Sequence, residues 1–590
     1  MNDSTGFLGV ARSATGRRWR IRLDDDRVAL GLAQRLGVPE IVARVLAARG
    51  VDAEGAPAFL DPKIRDQLPD PAHLKDMEAA ASRLAAAVQR GETIAIFGDY
   101  DVDGATSSAL LHRFITAARG KVRVYIPDRQ REGYGPNTPA LLRLKQEGAA
   151  VVVTVDCGIT AHVPLAAAAD AGLDVIVVDH HVAEPRLPLA VAVVNPNRLD
   201  ETTPHKQLAA VGVAFLLAIA LNRKLRDSGW YGDRPEPRLI DLLDLVALGT
   251  VCDVVPLTGL NRVFVTQGLK VLAQRGNTGL MALADVAHIQ QRCDCYHLGF
   301  ILGPRVNAGG RVGEADLGTR LLTTSDPDEA RNLARRLDAY NRERQAIEMS
   351  VLEAATAQVE ANGGPGAFIF VAGEGWHPGV IGIVAGRLRE KYERPTFVIS
   401  LADGIGKGSG RSALGVDLGS AVIAARECGL LINGGGHPNA AGLTVAAERL
   451  PELKEFLTAR VVKEMVSAIP SLAFDGALSL AAATPDLIDT LGRVGPFGVG
   501  NPEPRFAFPS VRVAKADVVG ERHVRCFLVD QRGARVNGIA FRAVGSPLGQ
   551  LLLDGTGASL HLAGRLRADE WQGQTRVQLH IEDAAPIVLS

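Results

Sequence analysis

Asp99, Asp101, Asp103, Asp156, Asp179 and Asp253, with the pair His180 and His181, fall at four places in the first half of the chain, each where an apolar run ends. The runs are residues 94–97, 151–155, 175–178 and 246–251. Crowded carboxylates repel one another and raise each other's pKa, so such a set calls for positive charge. A pair of divalent ions is the natural source. Cutting a phosphodiester needs a hydroxide nucleophile and neutralisation of charge on the transition state, and two ions about 3.5–4 Å apart supply both. Oxygen donors with an imidazole suit Mn2+ or Mg2+ better than a thiol-preferring metal. The plain alternative for any single aspartate is a helix cap or a turn former, but the set as a whole asks for a shared reason.

The elements that must position these side chains are legible as patterns. Short β-rich runs at 94–97, 122–126, 151–155, 175–178 and 191–194 alternate with Ala/Leu-rich helical stretches, which predicts a parallel α/β sheet. Ligands bind outside the carboxyl ends of such strands, so Asp99, Asp156 and Asp179 are expected on one rim. Residues 205–300 read mostly as helix, and an apolar helix at 239–248 delivers Asp253 after Gly249. Ser325-Asp326-Pro327 is a helix start and Asn362-Gly363-Gly364 a stop. The helix between them is long enough to bridge two domains. Residues 366–465 read as a second α/β unit with three glycine-rich loops. Short alternating segments at 505–513, 523–529, 535–541, 559–566 and 575–581 suggest a small β-barrel. The expected division is 1–75, a peripheral helical extension; 76–324, the first α/β domain; 325–363, the connecting helix; 364–468, the second α/β domain, to which the resemblance given below assigns substrate clamping; and 469–590, the barrel.

The chain has 590 residues, 47% apolar and 22% charged, with net charge −1. That is several ordinary globular domains, and any nucleic-acid binding must come from local basic clusters. The six cysteines are scattered, with only Cys293 and Cys295 close, so a zinc site or disulfide framework is not expected. Residues 1–30 lack an apolar core segment, and no apolar run approaches about 20 residues. The expectation is a reduced, cytoplasmic protein.

Glycine-rich segments in the second half are candidate phosphate grips. Residues 303–311 offer Arg305, Asn307 and Arg311; 408–412 offer Ser409 and Arg411; 434–437 offer the amides of Gly434, Gly435 and Gly436 and the imidazole of His437. Glycine lets backbone N–H groups approach an anion, and arginine adds a bidentate fork.

Asp179-His180-His181 is the signature of the DHH phosphoesterases. From about residue 75 onward the chain resembles the RecJ family of bacterial single-strand-specific 5′→3′ exonucleases. The resemblance rests on segments 98–107, 132–135, 154–160, 179–181, 249–257, 303–311, 408–412, 434–437 and 496–504, all in order. It implies a DHH parallel-sheet domain, a DHH-associated domain and a C-terminal oligonucleotide-binding (OB) fold. It further implies that Asp156 bridges two Mn2+ or Mg2+ ions, Asp101 serves one, and Asp103, His180 and Asp253 serve the other. Asp179 would orient a histidine and His181 would face the scissile phosphate. Several DHH relatives, pyrophosphatases among them, place a metal-binding histidine where this chain has Phe97, and Asp99 is the obvious replacement. In the barrel, Phe506, Phe508, Phe527, Phe541 and Trp571, with Arg525, Arg542 and Arg565, are candidates for stacking on a strand; Trp571, at an expected hairpin tip, is the first choice.

The function implied is metal-dependent release of 5′-mononucleotides from single-stranded DNA in recombination and repair. The expected partners are single-strand-binding protein and a RecQ-type helicase, and the expected state is a monomer. Two rivals stand beside it. A nano-RNase or cyclic-dinucleotide phosphodiesterase of the same superfamily is usually shorter and lacks a terminal barrel. A non-catalytic replisome scaffold has no need of the acidic set.

Overall fold

The computed structural model describes residues 6–129, 131–465, 470–571 and 574–587. Its first sheet is wholly parallel. The strand order is Lys121–Tyr125, Thr93–Gly98, Ala149–Val155, Asp174–Val178, Ala192–Val194. Both faces are covered, which is why the strands read as unbroken apolar runs. Ile94 and Ile96 point into a large core shared with helices Met77–Arg90, Val102–Ala117, Ala210–Asp227 and Leu243–Cys252. Ala95 and Phe97 point into a smaller one beneath Thr138–Gln146 and His162–Asp170. Phe97 is fully buried there against Tyr125.

Helix Pro327–Ala361 spans 35 residues, about 50 Å at 1.5 Å per residue. The Asp326 carboxylate caps it by accepting from the N–H of Asp328 at 2.8 Å. Leu333, Ala334 and Leu337 belong to the first core, while Val351, Ala355 and Val359 belong to a second. The helix therefore joins two domains by being part of both.

The second sheet runs Asn433–His437, Ala440–Ala446, Ile405–Arg411, Thr396–Ala402, Ile369–Glu374, antiparallel except for the last pair. Here the structure corrects the expected loops. Ser409 and Arg411 lie on a strand, and Gly434, Gly435, Gly436 and His437 form an edge strand. Gly410 is needed for packing: a Cβ there would lie 2.5 Å from the Phe397 ring. The segment carrying Arg305, Asn307 and Arg311 is a helix, Gly303–Val312, rather than a loop. Propensity reads glycine runs as turns, but these glycines admit close neighbours within regular structure.

The third sheet closes into a barrel: Phe506–Val519, His523–Val529, Arg535–Ala540, Gln574–Pro586, Ser559–Trp571 and back to Phe506–Val519. The first 75 residues are not peripheral to it. Arg18–Ile21 pairs in parallel with Ser471–Phe474, and the buried Trp19 indole donates to Asp583 at 3.0 Å. Leu32, Val42, Ala43, Val45 and Leu46 fill the barrel's own core. The pattern predicts helices here, but their attachment to a barrel more than 400 residues away is a tertiary contact that no local pattern carries.

Candidate metal centre and active site

Three strands end in an aspartate whose backbone N–H adds one more bond to the sheet ladder. Asp99 donates to the carbonyl of Val155 at 3.3 Å, Asp156 to Val178 at 3.0 Å and Asp179 to Val194 at 3.1 Å. Register therefore fixes all three on the carboxyl rim. Asp156 takes a left-handed backbone, φ +60°, uncommon outside glycine and a mark of sites where strain is tolerated.

The remaining candidate donors arrive on helices. Asp101 caps Val102–Ala117, its carboxylate accepting from the N–H of Gly104 at 3.0 Å, so the cap reading holds for this residue alongside its place in the cluster. Asp103 sits in the first turn, and its two oxygens accept from the N–H groups of Ala210 and Val211 at 2.7 and 2.9 Å, the start of Ala210–Asp227, where the helix dipole favours negative charge. Helix Leu243–Cys252 approaches through Gly249, where a Cβ would lie 2.3 Å from the Thr106 hydroxyl and 3.0 Å from Asp103. That approach brings Asp253, the helix cap, to the rim.

His180 Nε2 lies 3.3 Å from Asp156, 3.6 Å from Asp253 and 3.9 Å from Asp103. Two triads with donor atoms mutually within 4.8 Å result: Asp99, Asp101 and Asp156, and Asp103, His180 and Asp253. Asp156 joins them, since it also groups with His180 and His181. One donor atom on each of Asp99, Asp156, His180 and Asp253 is buried without a hydrogen-bond partner. An unpaired buried polar atom is costly, and four spread over these linked groups fit a pair of cations. The thiols of Cys157 and Cys252 nearby have pKa values pushed up by burial, so the donor set is oxygen with imidazole, right for Mn2+ or Mg2+.

The electrostatics say the same. Burial and then repulsion by Asp101 raise Asp99 and Asp156 well above the usual carboxylate range. Burial and neighbouring aspartates raise Asp103 to about 7 and Asp253 to about 9. Burial lowers His180 to about 4, keeping it neutral as a ligand must be. His181 differs: burial opposes its charge, but the hydrogen bond to Asp179 at 2.7 Å and that residue's charge raise its pKa above the ordinary value. Asp179, fully buried, also accepts from the N–H groups of Ile159, His180 and His181. It orients the histidine pair.

Other residues complete the support without having been singled out in the sequence. Asn195 and Asn197 donate to the carbonyls of His181 and His180 at 2.9 and 2.5 Å; the paired asparagines just past strand Ala192–Val194 were the available signal. The Tyr134 hydroxyl donates to the Asp156 carbonyl at 2.9 Å, which gives residues 132–135 a physical reason. Arg129 lies over the Tyr100 ring at 5.1 Å.

The expected phosphate grips divide. Arg305 turns inward to Asp338 at 3.0 Å and to the carbonyl of Ile301, so its fork holds the long helix. Asn307 is half-buried on the same helix. Gly310 sits against Tyr100, a Cβ there lying 2.9 Å from the Tyr100 carbonyl, and Arg311 donates to the Gly379 carbonyl at 3.0 Å. Gly382, three residues on, faces Ser409 and Arg411. These contacts carry the path from the acidic loop to Arg411. His437 is exposed on its edge strand. In the barrel, Phe506 and Phe508 are core residues, whereas Phe527 and Phe541 are exposed, with Arg525 over Phe527 at 5.5 Å. Trp571 ends its strand at the hairpin, and its side chain lies outside the described residues.

Three family models match successive stretches of the chain. Residues 93–250 match the DHH family N-terminal domain, 364–463 the DHHA1 domain and 474–583 the RecJ OB domain. The chain is 36% identical over 586 residues to the single-stranded-DNA-specific exonuclease RecJ of Bacillus subtilis, covering 97% of this chain and 71% of that one. It is 36% identical to the RecJ of Escherichia coli, covering 93% and 96%. The fold matches RecJ of Thermus thermophilus in complex with Mn2+ with TM-score 0.80 and 30% identity over 95% of this chain and 78% of that chain. A Mg2+ complex of the same enzyme matches with TM-score 0.75 and 29% identity, over 95% of this chain and 77% of that one.

Proposed function

The chain belongs to the RecJ family of single-stranded-DNA-specific exonucleases, and on that footing we propose that it removes 5′-mononucleotides from the 5′ end of a single strand, with two divalent ions at the acidic centre. It is a metal-dependent exonuclease of single-stranded DNA, a hydrolase of phosphodiester bonds. The observation that carries the two-ion reading is that two linked donor groups hold four unpaired buried donor atoms, from Asp99, Asp156, His180 and Asp253. Asp99, Asp101 and Asp156 would hold one ion, and Asp103, His180 and Asp253 the other, with Asp156 between. Bound there, the ions would supply Lewis acidity to the scissile phosphate and acidify water.

The chain's own groups do the rest. Asp179 fixes His181 through Nδ1, leaving Nε2 to donate to a phosphate oxygen. Protonated His181 then adds positive charge where negative charge develops. Arg311, Arg411, Ser409 and His437 hold the terminal phosphates, and the exposed Phe527 and Phe541 of the barrel hold bases farther along the strand. The enzyme works in the cytoplasm as a monomer, on strands exposed by a RecQ-type helicase and covered by single-strand-binding protein, in recombination and repair.

Digestion of one oligonucleotide, labelled first at the 5′ and then at the 3′ end, tests the polarity. Immediate release of labelled mononucleotide from the 5′ end and a ladder from the 3′ label, both abolished by EDTA, is the expected result. A 5′-labelled ladder would reverse the polarity. Cleavage confined to very short oligonucleotides would transfer the protein to the small-substrate branch of the superfamily.

A further inference from the structure

The helix that contains Gly303–Val312 begins with a π-helical segment, His297–Leu302, an irregularity frequent at functional sites. One side is buried against the segment that delivers Asp253. The Cys252 thiol donates to the Leu298 carbonyl at 3.5 Å, and a Cβ on Gly303 would lie 2.4 Å from Cys252 Sγ. The other side carries Tyr296 and Phe300, one turn apart, stacked with centroids 5.3 Å apart and planes at 25°. They are 58% and 72% exposed, and Phe300 has the larger share of its ring in water of the two.

The surroundings tell what such a pair would bind. Val254, next to the ligand Asp253, is also exposed, as is Val499 in the loop at the root of the barrel. That loop is fastened to the same segment, because the Val499 carbonyl accepts from the N–H of Leu257 at 2.7 Å. Arg292, exposed just ahead of Tyr296, offers a cation for a phosphate. The far end of the helix holds Gly310 against Tyr100 and Arg311 against Gly379. One element thus runs from the clamp and the acidic loop to the neighbourhood of the barrel, and its solvent side is aromatic. The pair stands on the element that packs against the segment delivering Asp253, and that same segment is bonded to the loop at the root of the barrel.

We propose that Tyr296 and Phe300 form a base-stacking step between the metal centre and the barrel, binding nucleobases of the strand on the 3′ side of the cut. The step accepts any base, since every base has a π-face. It rests on the reading of the chain as an exonuclease that takes the 5′ end first.

The test uses the full chain with Mn2+ and strands carrying a single abasic residue at successive positions from the 5′ end. For the wild type, KM rises about tenfold when the base that meets the pair is missing. For the Tyr296→Ala, Phe300→Ala double variant, KM on the intact strand is already raised by that factor, and the abasic residue adds nothing further. Tyr296→Phe with Phe300→Trp restores the wild-type pattern. An abasic penalty unchanged in the double variant, or naked strands digested by it with wild-type KM, would overturn the proposal and leave the pair to a protein partner. Failure of the underlying reading would appear separately, as absence of EDTA-sensitive digestion of the intact strand by the wild type.

Discussion

Asp179 shows how a single buried carboxylate sets the chemistry of its neighbours. It accepts three backbone N–H groups and the His181 ring, and its charge keeps His181 protonable above the ordinary histidine range. Replacing Asp179 with Asn removes that charge while preserving shape. The His181 pKa then falls, so the alkaline limb of the pH profile of kcat/KM should move to lower pH. Activity at the optimum should drop by about 10- to 100-fold, as for other supporting partners of a metal site. An unshifted limb would show that His181 does not act in its protonated form. The acidic cluster was readable in the sequence, because its members follow apolar runs. The ion pair of Arg305 was not, because nothing in its spacing betrays the buried Asp338.

At the scale of elements, the parallel sheet was legible because Val- and Ile-rich runs buried on both faces have few other solutions. Its register then places three aspartates without further help. The second half was harder to read. Gly408, Gly410, Gly434 and Gly436 suggested loops, yet they occupy strands whose neighbours crowd the place of a Cβ. Close approach is a tertiary property, invisible to local propensity. Gly249 is the sharpest case. Gly249→Ala would push a methyl into Thr106 and Asp103; overpacking of this kind costs about 1–3 kcal/mol. The variant should show a lowered thermal midpoint and weaker Mn2+ binding, because the helix that carries Asp253 is displaced. Wild-type Mn2+ affinity in a destabilised variant would show that the helix position does not set the site.

For the whole molecule, two of the joins between parts are shared cores. Helix Pro327–Ala361 belongs to two cores, and the N-terminal helices belong to the barrel. Arg262 ties three regions, donating to the carbonyls of Phe59, Val494 and Arg493. Long-range pairing such as Trp19 with Asp583 cannot be seen in a four-residue strand read alone. Deleting residues 1–60 should therefore expose the barrel core, seen as rapid proteolysis within 470–587, and should raise KM on long strands. A truncated chain whose barrel resists protease would contradict this account of its core.

The central claim is that one acidic centre holds two ions and that both are needed to cut. Calorimetric titration of Mn2+ into the metal-free protein, with strand hydrolysis measured at each occupancy, tests it most directly. Two ions per chain, hydrolysis that appears only as the second site fills, and loss of tight binding in Asp156→Ala are the predicted results. Full activity with a single bound ion, or an Asp156→Ala variant that retains both ions and cuts, would contradict it.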